Sequence, residues 1–147
     1  MIDLSKYFDK VKVKKANGHE VIWCFARRKW LIITPEEIVR QTVILHLLDI
    51  GYVISHITAE KQIIYNQMKK RYDLAVSDKR GNILLLVECK EPNTSLSEAT
   101  LKQASVYNLA LGSKYLWVTN GHQNKVYQID HDNKVTISID HLPLEGN

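Results

Sequence analysis

The run Ile83-Leu84-Leu85-Leu86-Val87 constrains this chain more than any other stretch. Five consecutive aliphatic side chains leave no polar face, which fits a central strand covered on both sides. A Gly81-Asn82 turn precedes the run, and Glu88-Cys89-Lys90 followed by Glu91-Pro92 ends it. Charges are rarely buried without partners, so Glu88 and Lys90 belong where the strand tip leaves the core.

The surrounding sequence supplies the neighbours of that strand. Residues 11–26 alternate on either side of Asn17-Gly18, the dipeptide best suited to a type I′ turn, and predict an N-terminal β-hairpin. A basic turn, Arg27-Arg28-Lys29, leads to a short strand at 31–33. Thr34-Pro35-Glu36-Glu37 has the order of a helix start: cap, first-turn proline, glutamate three residues after the cap. Gly51 ends that helix. β-Branched residues favour extended structure over 52–64, least firmly at 58–62. Residues 68–78 read as a strand that turns through Asp78-Lys79-Arg80-Gly81-Asn82 into the aliphatic run, so the two are antiparallel neighbours. Ser95 and Glu98 repeat the capping-box spacing before a second helix that Gly112 stops. Three short strands then follow, and residues 141–147 read as an unstructured tail. The order βββ-α-βββ-α-βββ predicts an α/β fold, a mixed central sheet flanked by helices, in one domain spanning 1–147.

Several function classes are disfavoured. No apolar run approaches the roughly 18 residues of a membrane span, and the start lacks a signal-peptide pattern, so the expectation is a cytoplasmic protein without a membrane partner. Cys24 and Cys89 form no CxxC and read as free buried thiols. The six histidines are scattered singly, without zinc spacing, and neither GxxxxGK[ST] nor GxGxxG occurs. A formal charge of +4 points mildly toward a phosphate-rich partner.

Side chains alternate along a strand, so Glu88 and Lys90 share a face and Asp73 can reach the same corner from the neighbouring strand. Two carboxylates converging beside a lysine make a hard-oxygen site suited to Mg²⁺, with Mn²⁺ able to substitute, and unsuited to zinc. Phosphodiester hydrolysis is the chemistry that fits such a site best.

These residues resemble the PD-(D/E)xK nucleases, and within them the N-terminal nuclease domain of type I restriction enzyme R subunits. The superfamily pattern of an acid, a hairpin turn and (D/E)-x-K reads here as Asp73 and Glu88-Cys89-Lys90. One branch adds Q-x-x-x-Y, matched by Gln103 to Tyr107. The restriction domains commonly open their first helix with PEExVRQ, matched by Pro35 to Gln41, and Thr119-Asn120-Gly121 is a further likeness. The similarity runs from about residue 27 to residue 127. It implies a restriction-endonuclease-like fold and a Mg²⁺-dependent endodeoxyribonuclease. Asp73 and Glu88 would then be metal ligands and Lys90 the catalytic lysine. A helix-1 glutamate would be the accessory acid, Glu37 with Glu36 as its substitute, and Gln103 and Tyr107 would line the site. DNA, motor or specificity subunits of a restriction system, and a second copy of the chain are the partners it suggests. Two departures stand out: Tyr72 replaces the proline before Asp73, and 147 residues hold no helicase-like motor.

Plainer readings remain beside these. Glu88 and Lys90 fit a solvated strand end, Asp73 a loop cap, and Glu37 an ordinary capping box. Gln103 and Tyr107 suit any amphipathic helix. Lys69, Lys70, Arg71, Lys79 and Arg80 fit either a solvated hairpin or a phosphate-contacting rim. Arg27-Arg28-Lys29 near Trp23 and Trp30 could add stacking to charge, or be a surface turn beside core tryptophans. The rival function is a non-catalytic DNA-binding or subunit-docking module on the same fold.

Overall fold

The computed structural model describes residues 1–65, 67–102, 104 and 112–144. After a 3-10 turn at Ser5–Tyr7, β1 (Val13–Ala16), β2 (His19–Cys24) and β3 (Lys29–Ile32) form a three-stranded antiparallel sheet. Helix α1 (Pro35–Asp49) follows, then a 3-10 turn at Ile54–His56. Strands β4 (Ile57–Tyr65), β5 (Met68–Ser77) and β6 (Ile83–Cys89) precede helix α2, which begins at residue 98. Strands β7 (Tyr115–Thr119), β8 (Asn124–Asp130) and β9 (Val135–Ile139) complete a six-stranded mixed sheet in sequential order. Only β6 and β7 pair in parallel within it. A parallel neighbour cannot be reached through a tight turn, and α2 lies in the crossover between them. The expected element order holds, with two sheets in place of one. No helix among the described residues is long and apolar enough to cross a membrane.

Local chemistry sets the turns. Asn17 and Gly18 both take positive φ, 52° and 78°, as a type I′ turn requires. Thr34 Oγ1 accepts the Glu37 N–H at 3.1 Å, and Gly51 (φ 109°) follows the end of α1. The cap of α2 differs from expectation. Ser97, not Ser95, accepts the Thr100 N–H on its Oγ at 3.2 Å, because residue 98 is already the first helical position. The tail differs too: Leu142 is buried in the core and the Tyr52 hydroxyl donates to the Pro143 carbonyl, so residues 142–143 are docked. An apolar side chain with room in the core outweighs the turn-like composition around it.

β6 separates two apolar layers. Leu85, Val87 and Cys89 pack with Val39, Val43 and Leu47 of α1, while Leu86 packs with Leu116, Val118 and Ala104 on the α2 side. Cys24 and Cys89 are free and buried, and loss of solvent pushes the Cys89 thiol well up from its ordinary pKa.

One irregularity matters for the site. The β4–β5 ladder pairs Ala59 with Leu74 and Lys61 with Tyr72, but passes over Glu60 and Asp73. Glu60 sits at φ 54°, sparsely allowed for a residue with a Cβ. Tyr72 packs in the α2-side layer and Leu74 in the α1-side layer, although strict alternation would put both on one face.

At the far end of β7, Thr119-Asn120-Gly121 makes a tight corner. Asn120 Oδ1 accepts the N–H groups of His122 and Gln123, and its Nδ2 donates to the Thr94 carbonyl at 2.9 Å. Gly121 has φ 92°, and a Cβ there would lie 3.2 Å from Val39 Cγ2 and 3.3 Å from Phe8 Cζ. Gly121→Ala combines backbone strain with this crowding and is expected to cost about 1–3 kcal/mol, read as a lower urea midpoint at unchanged slope.

Candidate active site at the tip of β6

The centre of the site is a cation. Arg40, one turn into α1, is only 7% exposed at its side chain. Its Nη1 donates to Glu37 Oε1 at 2.8 Å and to Glu60 Oε1 at 3.3 Å. Its Nη2 donates to Asp73 Oδ1 at 2.9 Å and lies 3.6 Å from Glu36 Oε1. Burial alone would lower the guanidinium pKa, but Glu37 and Asp73 more than offset it and the net shift is upward. Arg40 Nε has no partner among the described residues.

Asp73 is held from both sides. Its second oxygen accepts the Cys89 N–H at 2.8 Å, so the carboxylate takes an amide just beyond the last β5–β6 pair, Leu74 with Val87. Asp73 therefore touches the backbone between Glu88 and Lys90, as the corner in the sequence suggested. Glu88 is buried, and its Oε2 lies 3.9 Å from Lys90 Nζ. Val87 and Cys89 face α1, so alternation turns Glu88 toward the α2 side of the same tip.

The two helix-1 glutamates take different places. Both Glu37 oxygens accept hydrogen bonds, from Arg40 and from Gln41 Nε2 at 3.0 Å, and Gln41 Oε1 in turn accepts the Phe25 N–H. Glu37 thus ties α1 to the end of β2. Glu36 is 46% exposed and lies close enough to Asp73 to share a hydrogen bond. Burial first, then the Asp73 charge and that hydrogen bond, raise its pKa above the ordinary value of 4.5, while Arg40 and Lys90 act in the opposite sense. Glu36 thus stands next to Asp73 and within the field of Lys90, while Glu37 is bonded to Arg40 and Gln41.

Of the remaining expected residues, Gln103 and Tyr107 lie outside the described residues. Arg71 is exposed beside the site, its Nη1 4.0 Å from Glu60 Oε2. Lys69 is exposed nearby on β5, and Lys70 pairs through its backbone with Ile63. Lys79 and Arg80 sit on the hairpin turn at the other end of β5, about 20 Å from Asp73 at roughly 3.3 Å per residue. The basic residues therefore form two separate patches. Arg40 and Glu60 carried no role in the sequence reading. Arg40 had a signal, a cation three and four residues after two glutamates on one helix. Glu60 had none, because its direction depends on the irregular ladder.

Among the described residues, no three His, Cys, Asp or Glu side chains close on one point as a finished metal cage. The donor chemistry nevertheless fits a hard divalent ion. Burial first and the neighbouring Asp73 charge second raise the Glu36 pKa, and both side chains offer only oxygen. Glu36→Gln is expected to raise the melting temperature at neutral pH without divalent metal. An acid whose folded pKa is raised destabilises the fold wherever it is ionised, so the gain should shrink as pH falls through the raised value and vanish below 4.5. Arg40→Met leaves Glu37 and Asp73 without their buried cation and should instead cost about 3–5 kcal/mol in denaturant melts.

The family described as type I restriction enzyme R protein N terminus (HSDR_N) matches residues 35–143. Among curated proteins, no sequence matches significantly. Among solved structures, one similar chain is a fragment described as an HsdR subunit of a type I restriction enzyme from Vibrio vulnificus YJ016. It shows 21% identity and a TM-score of 0.52, over 74% of this chain and 23% of that one. Another is a DUF820 protein from Anabaena variabilis ATCC 29413, described as a nuclease, with 12% identity and a TM-score of 0.48 over 98% and 89% of the two chains. The chain thus spans about a quarter of the length of the HsdR fragment, and shares with it the mixed α/β fold. With the family match covering most of its length, the chain belongs to the family of type I restriction enzyme R protein N termini.

Proposed function

We propose that this domain hydrolyses DNA phosphodiester bonds with Mg²⁺, or Mn²⁺ in its place, at the tip of β6. The observation that carries the reading is Asp73 seated on the Cys89 amide at the tip of β6, between buried Glu88 and Lys90, with Glu36 next to Asp73. Asp73 and Glu36 would hold the ion on the α1 side of the tip, and Glu88 would join them around the strand end, beyond the last β5–β6 pair. When bound, the ion supplies Lewis-acid polarisation and an acidified water. Lys90 keeps a cation at the mouth of the site, where it can orient the attacking water or offset charge developing on the phosphate. Arg40 fixes Asp73 from behind and limits repulsion among the acids, and Arg71 and Lys69 offer phosphate contacts on the same side. The family match supports a restriction-system context, and motor and specificity subunits are the partners this reading proposes.

A second reading rests on the 2.9 Å bond from Arg40 to Asp73. A guanidinium that already neutralises the first acid could make the fold a binding or docking module that needs no metal.

A supercoiled-plasmid nicking assay separates the two. Metal-dependent nicking that EDTA abolishes, and that falls at least about 100-fold in Lys90→Ala, supports the nuclease. Glu36→Gln should lose far more activity than Glu37→Gln does at temperatures where both are folded. Salt-sensitive DNA binding without nicking, unchanged in Lys90→Ala, supports the module.

A further inference from the structure

The three-stranded sheet has two unlike faces. Ile22 and Cys24 of β2 are fully buried, and Leu31, opposite Ile22, points the same way. The other face carries the cross-strand pair Trp23 and Trp30 and the row Lys14, Val21 and Ile32. These tryptophans are not core residues. Trp30 is 37% exposed, Ile32 is 74% exposed, and the two indoles meet edge-to-face at 5.3 Å between centroids. Lys14 Nζ stands 4.2 Å from the centre of the Trp30 ring. Lys12, two residues before Lys14, sets its Nζ 5.7 Å from the centre of the Phe25 ring, and Arg27 and Arg28 form the turn between β2 and β3.

This face adjoins the acids. Arg27, in the turn between β2 and β3, donates to Glu60 Oε2 at 3.2 Å, and the other Glu60 oxygen accepts from Arg40. One shared carboxylate therefore separates the basic turn from the guanidinium that holds Asp73.

We propose that the Trp23–Trp30 face is a stacking platform for an unpaired DNA strand, leading it past the Arg27–Arg28 turn toward the acids. The inference takes the nucleic-acid substrate of the proposed function and specifies it as one with unpaired bases. Charge complementarity decides between nucleic acid and an apolar partner: indoles set among lysines and arginines offer π-faces to bases and cations to phosphates. An incoming base takes the Trp30 face that Lys14 now covers, and the released ammonium stays within reach of that nucleotide's phosphate. A duplex buries its π-faces in its own stack and gains little from such a surface.

The test is fluorescence anisotropy of the full chain with a labelled short oligothymidine and with a duplex of equal length, in low salt and EDTA. Trp30→Ala is compared with wild type after circular dichroism confirms equal folding. Loss of at least about tenfold in oligothymidine affinity, with duplex affinity changed less than about twofold and Trp30→Phe retaining most of the binding, supports the platform. Equal weakening on both DNAs, or no change on either, overturns it. So does a drop in oligomer size in Trp30→Ala by gel filtration, which would make this face an interface between copies. Because no metal is present, the result is independent of cleavage. Trp30-dependent binding with no nicking under Mg²⁺ would remove the nuclease reading and leave the platform standing, and nicking with Trp30-independent binding would do the reverse.

Discussion

The arrangement of this domain hinges on one buried positive charge. Taking a guanidinium out of water costs several kcal/mol, and only closely placed anions repay it. Arg40 obtains them from three elements: Glu37 on its own helix, Glu60 on β4 and Asp73 on β5. None of these can relax independently, because moving any one strands the others in a place with little water. The helix, the edge of the large sheet and, through Gln41 and Phe25, the small sheet are thereby fixed against each other at the point where the acids gather. Apolar packing along Val39, Val43 and Leu47 sets how closely α1 lies on the sheet, and the charge sets its register.

The sequence made most of the framework legible because strong local rules coincide there. Asn17-Gly18, Thr34-Pro35 and the aliphatic run each allow one solution, and the structure uses it. The departures occur where a local signal competed with a distant partner. Ser95 and Ser97 are equally good caps in one dimension, and only the start of the helix selects between them. The residues before Leu144 look like loop until Leu142 finds the core. In the site, strand periodicity puts Glu88 and Lys90 on one face of β6, whereas Asp73 sits where the β4–β5 ladder is irregular, which no local pattern announces. Helix phase does not separate Glu36 from Glu37, since both lie in the first turn; only the folded contacts give both Glu37 oxygens to Arg40 and Gln41.

The middle and the tip of β6 face opposite demands. Its middle is enclosed by apolar layers on both sides, where an ion would be costly, whereas its tip meets Asp73, Lys90 and the start of α1. The abrupt change from Val87 to Glu88 is the chain's transition between these environments, made in one residue. A stiff, fully packed strand holds the charged tip in place more precisely than a loop could.

Glu60 has a consequence on its other side. β4 is an edge of the six-stranded sheet, and an edge strand with exposed apolar residues such as Ile64 offers its unpaired backbone to any passing chain. The left-handed backbone at Glu60 interrupts that edge, and its side chain turns inward to two arginines. The distortion that brings an acid to the site therefore also spoils β4 as a template for edge-to-edge pairing, so that protection from aggregation comes with the site's own geometry.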